Sequence, residues 1–351
     1  MATRHAIVLF GLLGFVPAAA AQDFRIDDAG AARLADVAQL KPGFIAFSDQ
    51  WGGDAANAGG AGGAGGVLIR FEDWATKRPV QKKFLALFPT YTEPTIAKPA
   101  NGGGPIVEKL YMYVAQARFV LDRAPGSIDL SRYVTLPFLE RIDPAIKHKL
   151  IAAADVVPFN DDPGTGNDNP DRKWCTGRAT LICIQSSYKL EGKIPLGVLL
   201  VNKLRDSVKK VADTIDFQSE LSAQAAADVD QAGLQDLTAL DTPVAGVIEQ
   251  DIFYVNQIMK FGKLLAVFQN HPSDASKTVV TAFVALAIKA RVLEEKRDYE
   301  NVPVLRNLVP AQVLMGQSSF NSGTSISAGL PKYARNEISM IAGILQKDSG
   351  K

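Results

Sequence analysis

Two long apolar stretches either side of a single turn constrain this chain most. Residues 247–268 are rich in β-branched and aromatic side chains, with Gly262 as their one clear interruption. Residues 278–292 (TVVTAFVALAIKARV) have the same character, and 269–277 between them (QNHPSDASK) have the composition of a turn. Adjacent runs of this kind read as a long antiparallel hairpin. Both arms exceed an ordinary strand, so the sheet must curve, and Gly262 is the candidate bend or bulge. A sheet that long has a face to cover. The last periodic segment, Leu330 to Leu345, supplies a cover: Ala334, Ile338, Ile341 and Leu345 fall on one helical stripe, with Ser327 as a cap and Pro331 in the first turn.

Other elements are legible with less force. Val67 to Phe71 reads as a strand, and Ile106 to Leu121 as one long strand ended by Pro125-Gly126. Ala31 to Leu40 is a short helical patch, and Leu136 to Ala154 reads as helix broken at Pro144. Ala179 to Ile194 alternates cleanly, placing Ile182, Ile184, Ser186, Tyr188 and Leu190 on one face of a strand. From Pro195, the spacing of Val201, Leu204, Val208, Val211 and Ile215 predicts an amphipathic helix to about Asp216, extending as far as Ala227. Its lysines are interspersed with Asp206, Asp213 and Asp216, which favours a solvated outer face over a membrane surface.

The first 21 residues read as an export signal. Arg4 gives the positive end, Ala6 to Val16 the apolar run, and Ala19-Ala20-Ala21 the small-residue cleavage pattern. The run is too short for a membrane anchor, and no later stretch has the length of one. Cleavage near Ala21 removes Arg4 and leaves basic and acidic side chains in balance, an expected periplasmic or secreted protein. Residues 22–66 form an N-terminal segment whose Gly/Ala run, Ala58 to Gly66, is a linker or long loop. Residues 67–351 are expected to form a single α+β domain. In an oxidising compartment, Cys175 and Cys183 read as a structural disulfide, since their spacing is not the Cys-x-x-Cys of a redox pair.

Several chemistries lack their residues. Formal net charge is +1, and no basic stripe is interleaved with aromatics, which excludes a nucleic-acid surface. The Gly/Ala run has neither a phosphate-loop lysine nor a dinucleotide-binding context, and no cofactor is implied. His148 and His271 lie far apart without metal-spaced partners, and no G-x-S-x-G elbow is present. The loop 158–173 offers Asp161, Asp162, Asp168 and Asp171 as calcium candidates, though without the EF-hand order a solvated loop is the plainer reading. Glu108, Glu191, Glu249 and Asp251 lie on expected strands and are available for acid–base chemistry in a lipophilic pocket, or else face solvent.

The element order over 105–345, a long hairpin leading into a terminal helix, resembles the helix-grip layout of START-like lipid-binding domains. Residues 131–175 have no obvious place in that layout, and the helix at 196–216 is long for it. The resemblance implies a long curved antiparallel sheet packed against the C-terminal helix with an apolar cavity between them. On it rests the expectation of a carrier for a lipid or other hydrophobic small molecule, with Tyr111, Tyr113, Ile184, Tyr188, Phe253, Val255, Phe283 and Ile338 as pocket candidates. Two alternatives stay open. One is an envelope structural or assembly factor without a pocket, and the other an enzyme acting on a hydrophobic substrate in the same cavity.

Overall fold

Side chains alternate across a pleated strand, so a sheet with two covered faces needs two sets of apolar residues from the same segments. The β-rich segments of this chain supply both. A computed structural model describes residues 24–27, 34, 36–40, 43–49, 51, 68–77, 81–84, 95–96, 106–107, 110–157, 173–176, 180–189, 214–255, 259–289 and 326–348. The expected signal segment, the Gly/Ala run and the acidic loop lie outside these residues.

Among the described residues, ten strands form one sheet: β1 (Arg25–Asp27), β2 (Phe44–Ser48), β3 (Leu68–Arg70), β6 (Leu110–Leu121), β7 (Ile146–Leu150), β8 (Leu181–Lys189), β9 (Thr214–Ala225), β10 (Val244–Val255), β11 (Met259–His271) and β12 (Asp274–Lys289). The spatial order is β1-β2-β6-β12-β11-β10-β9-β8-β7, with β3 also on β6. β1 and β2 are parallel and the other pairs antiparallel. β4 (Thr95–Ile96) and β5 (Ile106–Val107) make a separate two-stranded pair. The helices α1 (Phe71–Lys77), α2 (Leu136–Ile142), α3 (Gln231–Thr238) and α4 (Ile326–Lys347) accompany them, with a helical turn at 81–84 and short 3-10 turns. The protein is α+β, a long antiparallel sheet with a C-terminal helix.

One face of the sheet carries Tyr111, Tyr113, Ala115, Ala117, Phe119 and Leu121 of β6, Ile184 of β8, Leu221 of β9 and Val284, Leu286 and Ile288 of β12. Against it lie Ala334, Ile338, Ala342, Ile344 and Leu345 of α4, together with Phe138, Leu139 and Ile142 of α2. The outer face carries Met112, Val114, Val247, Phe261, Leu265, Val267 and Phe283, covered by Trp51, Trp74, Phe84 and the α3 residues Leu234 and Leu237. α4 lies over β6 and β1 and also meets α2, which itself packs on the far edge strand β7. One edge of the sheet thus meets α4 directly, and the other meets it through α2. Gly246 permits part of this closure, because a Cβ there would stand 2.6 Å from Leu130 Cδ1 and 2.6 Å from the Gln224 carbonyl oxygen.

Several expectations need correction. Residues 247–268 are two strands rather than one arm, since β10 ends at Val255 and β11 begins at Met259. The turn of the β11–β12 hairpin is correspondingly tight, His271 to Asp274. Gly262 is paired in regular register with Ile252 and Leu286, and the irregularity sits just before it, between Met259 and Phe261. Leu136 to Ala154 is not a broken helix. Asp143-Pro144 ends α2, and Ile146–Leu150 enters the sheet as β7, so Lys147, His148 and Lys149 belong to an edge strand. Residues 214–225 are a strand, not the end of a helix: Phe217, Ser219, Leu221 and Ala223 alternate with Gln218, Glu220, Ser222 and Gln224. The proposed helix upstream of them lies outside the described residues. α3 was not legible, because its apolar positions are few. α4 begins earlier than expected and takes Pro331 within its length.

Cys175 and Cys183 form a disulfide, with Cα atoms 5.5 Å apart. It fixes residues 173–176 to the outer face of β8. Trp174 stacks on Phe253 there at 4.2 Å, and the Cys175 N–H donates to the Glu220 carboxylate. Reduction should lower unfolding free energy by about 2–3 kcal/mol, given a short closed loop. Urea denaturation with and without reductant measures this, and an unchanged midpoint would show that the loop is held without the bridge.

Candidate functional site

The site follows from which way each strand turns its side chains. Along the middle of β10, Val247, Glu249, Asp251 and Phe253 are buried, while Ile248, Gln250 and Ile252 keep accessible surface. In β11 Lys263 is wholly buried, whereas Leu264 and Ala266 are not. The usual alternation, charges toward water and aliphatics inside, is reversed here.

On the outer face, the Lys263 Nζ lies 2.7 Å from Glu249 Oε1 and 3.1 Å from Asp251 Oδ1. Glu249 and Asp251 were expected either in a pocket or in solvent. Both are buried in this cluster, 7% and 4% exposed, and Glu249 also lines a small cavity on the outer face with Gln224, Leu234, Val247 and Leu265. Register sets Glu220 beside Asp251 on the same face. Burial raises the Asp251 carboxyl to about 7, opposed by Lys263 and reinforced by Glu249. One ammonium serves two carboxylates here, and a proton on Asp251 relieves the surplus negative charge. Farther along, Gln218 accepts from the Val157 N–H at 2.8 Å and donates to the Asp155 carbonyl at 3.0 Å and to Gln185. Arg118, also fully buried, donates from Nε to Thr281 Oγ1 at 3.0 Å and from its other nitrogens to the Leu34 and Thr238 carbonyls. These polar side chains fasten neighbouring segments to the outer face, which is a structural use.

The helix-facing side of β8–β11 is different. Ile182, Tyr188, Phe217, Ile248, Ile252, Leu264 and Ala266 all retain accessible surface on the same side as the α4 core residues. Gly262 belongs to this floor: a Cβ on it would stand 3.0 Å from Leu286 Cδ2 and 3.1 Å from Ile252 Cδ1. Gln250 donates to Ser219 Oγ at 3.2 Å across the same surface. These side chains form a partly accessible apolar strip on the side of the sheet that faces the α4 core.

Polar groups gather where α4, α2 and the β7–β8 edge converge. Tyr333 and Glu337 stand one turn apart on α4 and keep some accessible surface. Asp143 follows α2, and its carboxylate accepts from the Ala145 N–H at 2.9 Å. His148 and Ser186 are cross-strand neighbours, with Nδ1 and Oγ 2.8 Å apart. The His148 Nε2 is enclosed without a hydrogen-bond partner. Burial pushes the Glu337 carboxyl up to about 8, and the Asp143 charge adds to it. Burial also raises Tyr333 well above its ordinary value, with Glu337, Asp143 and Tyr188 contributing. Burial lowers the His148 imidazole, opposed by Glu140 and Asp143.

Of the eight pocket candidates, Tyr111, Tyr113, Ile184, Tyr188, Val255 and Ile338 are brought to the helix-facing side. Phe253 and Phe283 lie on the outer face, Phe253 against Trp174 and Phe283 against Trp51 and Phe84. The bulge between Ile252 and Tyr254 is why Phe253 and Val255 part company, since it breaks the two-residue period. Glu337, Tyr333, Asp143 and the His148–Ser186 pair were missed as a group. Only Glu337, four residues after Tyr333 on one helix face, left a trace in the sequence. Asp161, Asp162, Asp168 and Asp171 lie outside the described residues. Cys175, Cys183 and Glu220 place potential ligand atoms within 4.8 Å of one another, but the sulfurs are committed to the disulfide.

No known family model matches the chain, and no curated protein matches it in sequence. Among solved structures, the Zhui aromatase/cyclase from Streptomyces sp. R1128 is similar at 9% identity and a TM-score of 0.31, over 68% of this chain and 96% of that one. Norcoclaurine synthase from Thalictrum flavum follows at 9% identity and 0.27, over 66% and 86%. Human STARD10 stands at 8% identity and 0.28, over 78% and 84%. At these values the likeness says nothing of ligand or activity. Among the described residues, no helix is long and apolar enough to cross a membrane.

Two stability measurements test the charge assignments. Lys263→Met leaves two buried carboxylates without their cation and should cost about 3–5 kcal/mol at pH 8. At pH 5, below the Asp251 value of about 7, the cost should shrink. Glu337 titrates near 8 when folded against 4.5 ordinarily, so the folded state holds a proton that the unfolded chain has lost. Stability should therefore fall as pH rises from about 4.5 through 8, and Glu337→Gln should flatten that slope in chemical denaturation. A slope unchanged in the variant would contradict the placement of this carboxyl.

Proposed function

We propose that the protein binds a lipid or other hydrophobic small molecule in the groove between α4 and the curled sheet. One observation carries this reading. Aliphatic side chains of β10 and β11 keep accessible surface on the helix-facing side, while the charged side chains of the same strands are buried opposite. Leaving several aliphatics partly wet within a fold costs about 25 cal/mol per Å² of apolar area, a cost that an apolar ligand recovers. The polar rim at Glu337, Asp143, Tyr333 and His148 gives such a ligand one end to orient against.

The export signal and the disulfide support a setting outside the cytoplasm, where an apolar molecule crossing water needs an enclosure. A pocketless assembly factor is the weaker reading, because it leaves the wet aliphatics unexplained. Enzymatic use of the groove would need one of the rim groups to act on substrate, and the enclosed His148 Nε2 is the group that favours it.

The mature chain, isolated gently and examined by native mass spectrometry, should carry an apolar molecule that organic extraction releases. Leu264→Glu, which puts a charge on the groove floor, should reduce ligand occupancy at least about tenfold while leaving the fold intact by circular dichroism. An apo mass that stays unchanged when a phospholipid and fatty-alcohol mixture is offered would overturn the proposal.

A further inference from the structure

We propose that Cys175, Cys183 and Glu220, whenever the two sulfurs are not joined, bind a thiophilic divalent cation of the zinc class. This site lies on the outer face of the sheet and does not depend on the ligand-binding reading above.

Three segments bring the donor atoms together. Cys183 of β8 and Glu220 of β9 are cross-strand partners, so both side chains stand on one face. Both are buried, at 5% and 4% exposure. Cys175 comes from the segment 173–176, and its Cα lies 5.5 Å from that of Cys183. The two sulfurs and a Glu220 carboxylate oxygen lie within 4.8 Å of one another. In the structure the sulfurs are bonded to each other. Opened, they need only part to about 3.8 Å, the separation of two thiolates on a tetrahedral zinc with bonds of about 2.3 Å.

Cys175 does not rely on the bridge alone to stay in place. Trp174 beside it is buried and stacks on Phe253 at 4.2 Å. The Cys175 N–H donates to Glu220 Oε1, and Thr176 Oγ1 donates to the Lys173 carbonyl at 2.8 Å. The Cys175 backbone is left-handed, with φ 66°, a conformation that a non-glycine residue keeps only where its surroundings impose it. These contacts hold Cys175 opposite the other two donors. The N–H on Glu220 also orients the carboxylate, as hydrogen bonds behind metal ligands do.

The donor types select the metal. Two thiolates and a carboxylate suit tetrahedral zinc with one position left for water or a further ligand. Calcium and magnesium take oxygen donors and have little use for the sulfurs. Metal and bridge exclude each other. Binding breaks two S–H bonds, forms two S–Zn bonds and releases two protons to solvent. Closing the bridge reverses this. An oxidant of the disulfide class accepts two electrons from the thiolates and two protons from solvent, leaving as a dithiol while the S–S bond forms and the dication departs. A dithiol reductant reopens the site by the reverse exchange.

The test uses the mature protein, reduced with a phosphine under nitrogen, and cobalt(II) as the spectroscopic substitute for zinc. Cobalt should give a thiolate charge-transfer band in the near ultraviolet and tetrahedral bands in the red. Zinc should bleach both, whereas about a hundredfold excess of calcium should not. The oxidised protein should give neither band. Glu220→Gln keeps both sulfurs and an acceptor for the Cys175 N–H. It should weaken zinc binding at least about tenfold with an unchanged circular dichroism spectrum. Should reduction unfold the protein, zinc should refold it. No charge-transfer band in the reduced protein would overturn the site, as would displacement of cobalt by calcium. Unchanged zinc affinity in Glu220→Gln would overturn it too, because the cysteines alone would then account for binding. So would reduced protein that unfolds and is not restored by zinc.

Discussion

The structure depends on the register in which β9, β10 and β11 pair, and the Lys263–Glu249–Asp251 cluster is the interaction most sensitive to it. Side chains alternate with a period of two, so a slip of one residue in β11 against β10 would carry Lys263 to the helix-facing side and leave both carboxylates on the outer face. It would also leave Lys263 without the partners now within 2.7 and 3.1 Å. Such a cluster adds little net stability, because desolvation offsets most of the attraction. Its value here is in specifying one pairing. The outer face accepts that polarity because other segments cover it: Trp174 on Phe253, the Cys175 N–H on Glu220, the loop at 155–157 on Gln218. Charge is buried on the side where the chain itself provides cover, and apolar surface is left on the other.

On the proposed reading, that division leaves the helix-facing side of the sheet to a ligand. α4 fills the space over β6 and β12 with Ala334, Ile338, Ala342 and Leu345, and small alanines on the facing strands let it approach. Over β8–β11 the aliphatics Ile182, Ile248, Ile252 and Leu264 stay partly accessible. α2 and β7 close the far side, and the 3-10 turn Leu130–Tyr133 closes the end near Gly246. Asp143 and His148 come from the end of α2 and from β7, whereas Tyr333 and Glu337 come from α4 itself.

The class of the fold was legible because its evidence is periodic and long. The alternation from Ile182 to Tyr188, the β-branched runs of β11 and β12, and the stripe Ala334–Ile338–Ile341–Leu345 each repeat often enough to set a period. Where short signals compete, the reading failed. Ile215 continued a 3–4 spacing from Val211, which hid the alternation that makes 214–225 a strand. Lys147-His148-Lys149 looked like a helix face because charge obscured a two-residue period at an edge strand. Phe253 and Phe283 were placed in the pocket because apolar strands signal burial without signalling which face is buried. The bulge at 252–254 has no local signature. The rim cluster is assembled from α4, the end of α2 and two strands, a conjunction of distant segments that only the curl of the sheet creates.

Methyl-resolved NMR offers the most direct test that the helix-facing side is accessible apolar space and the outer face is not. With isoleucine and leucine methyls labelled in the mature protein and dodecanol added, the account predicts shifts concentrated at Ile182, Ile248, Ile252, Leu264 and Ile341. Leu234, Leu237 and Leu265, packed on the outer face, should stay in place. Shifts centred on those three residues, or none at the groove positions at saturating dodecanol, would contradict it.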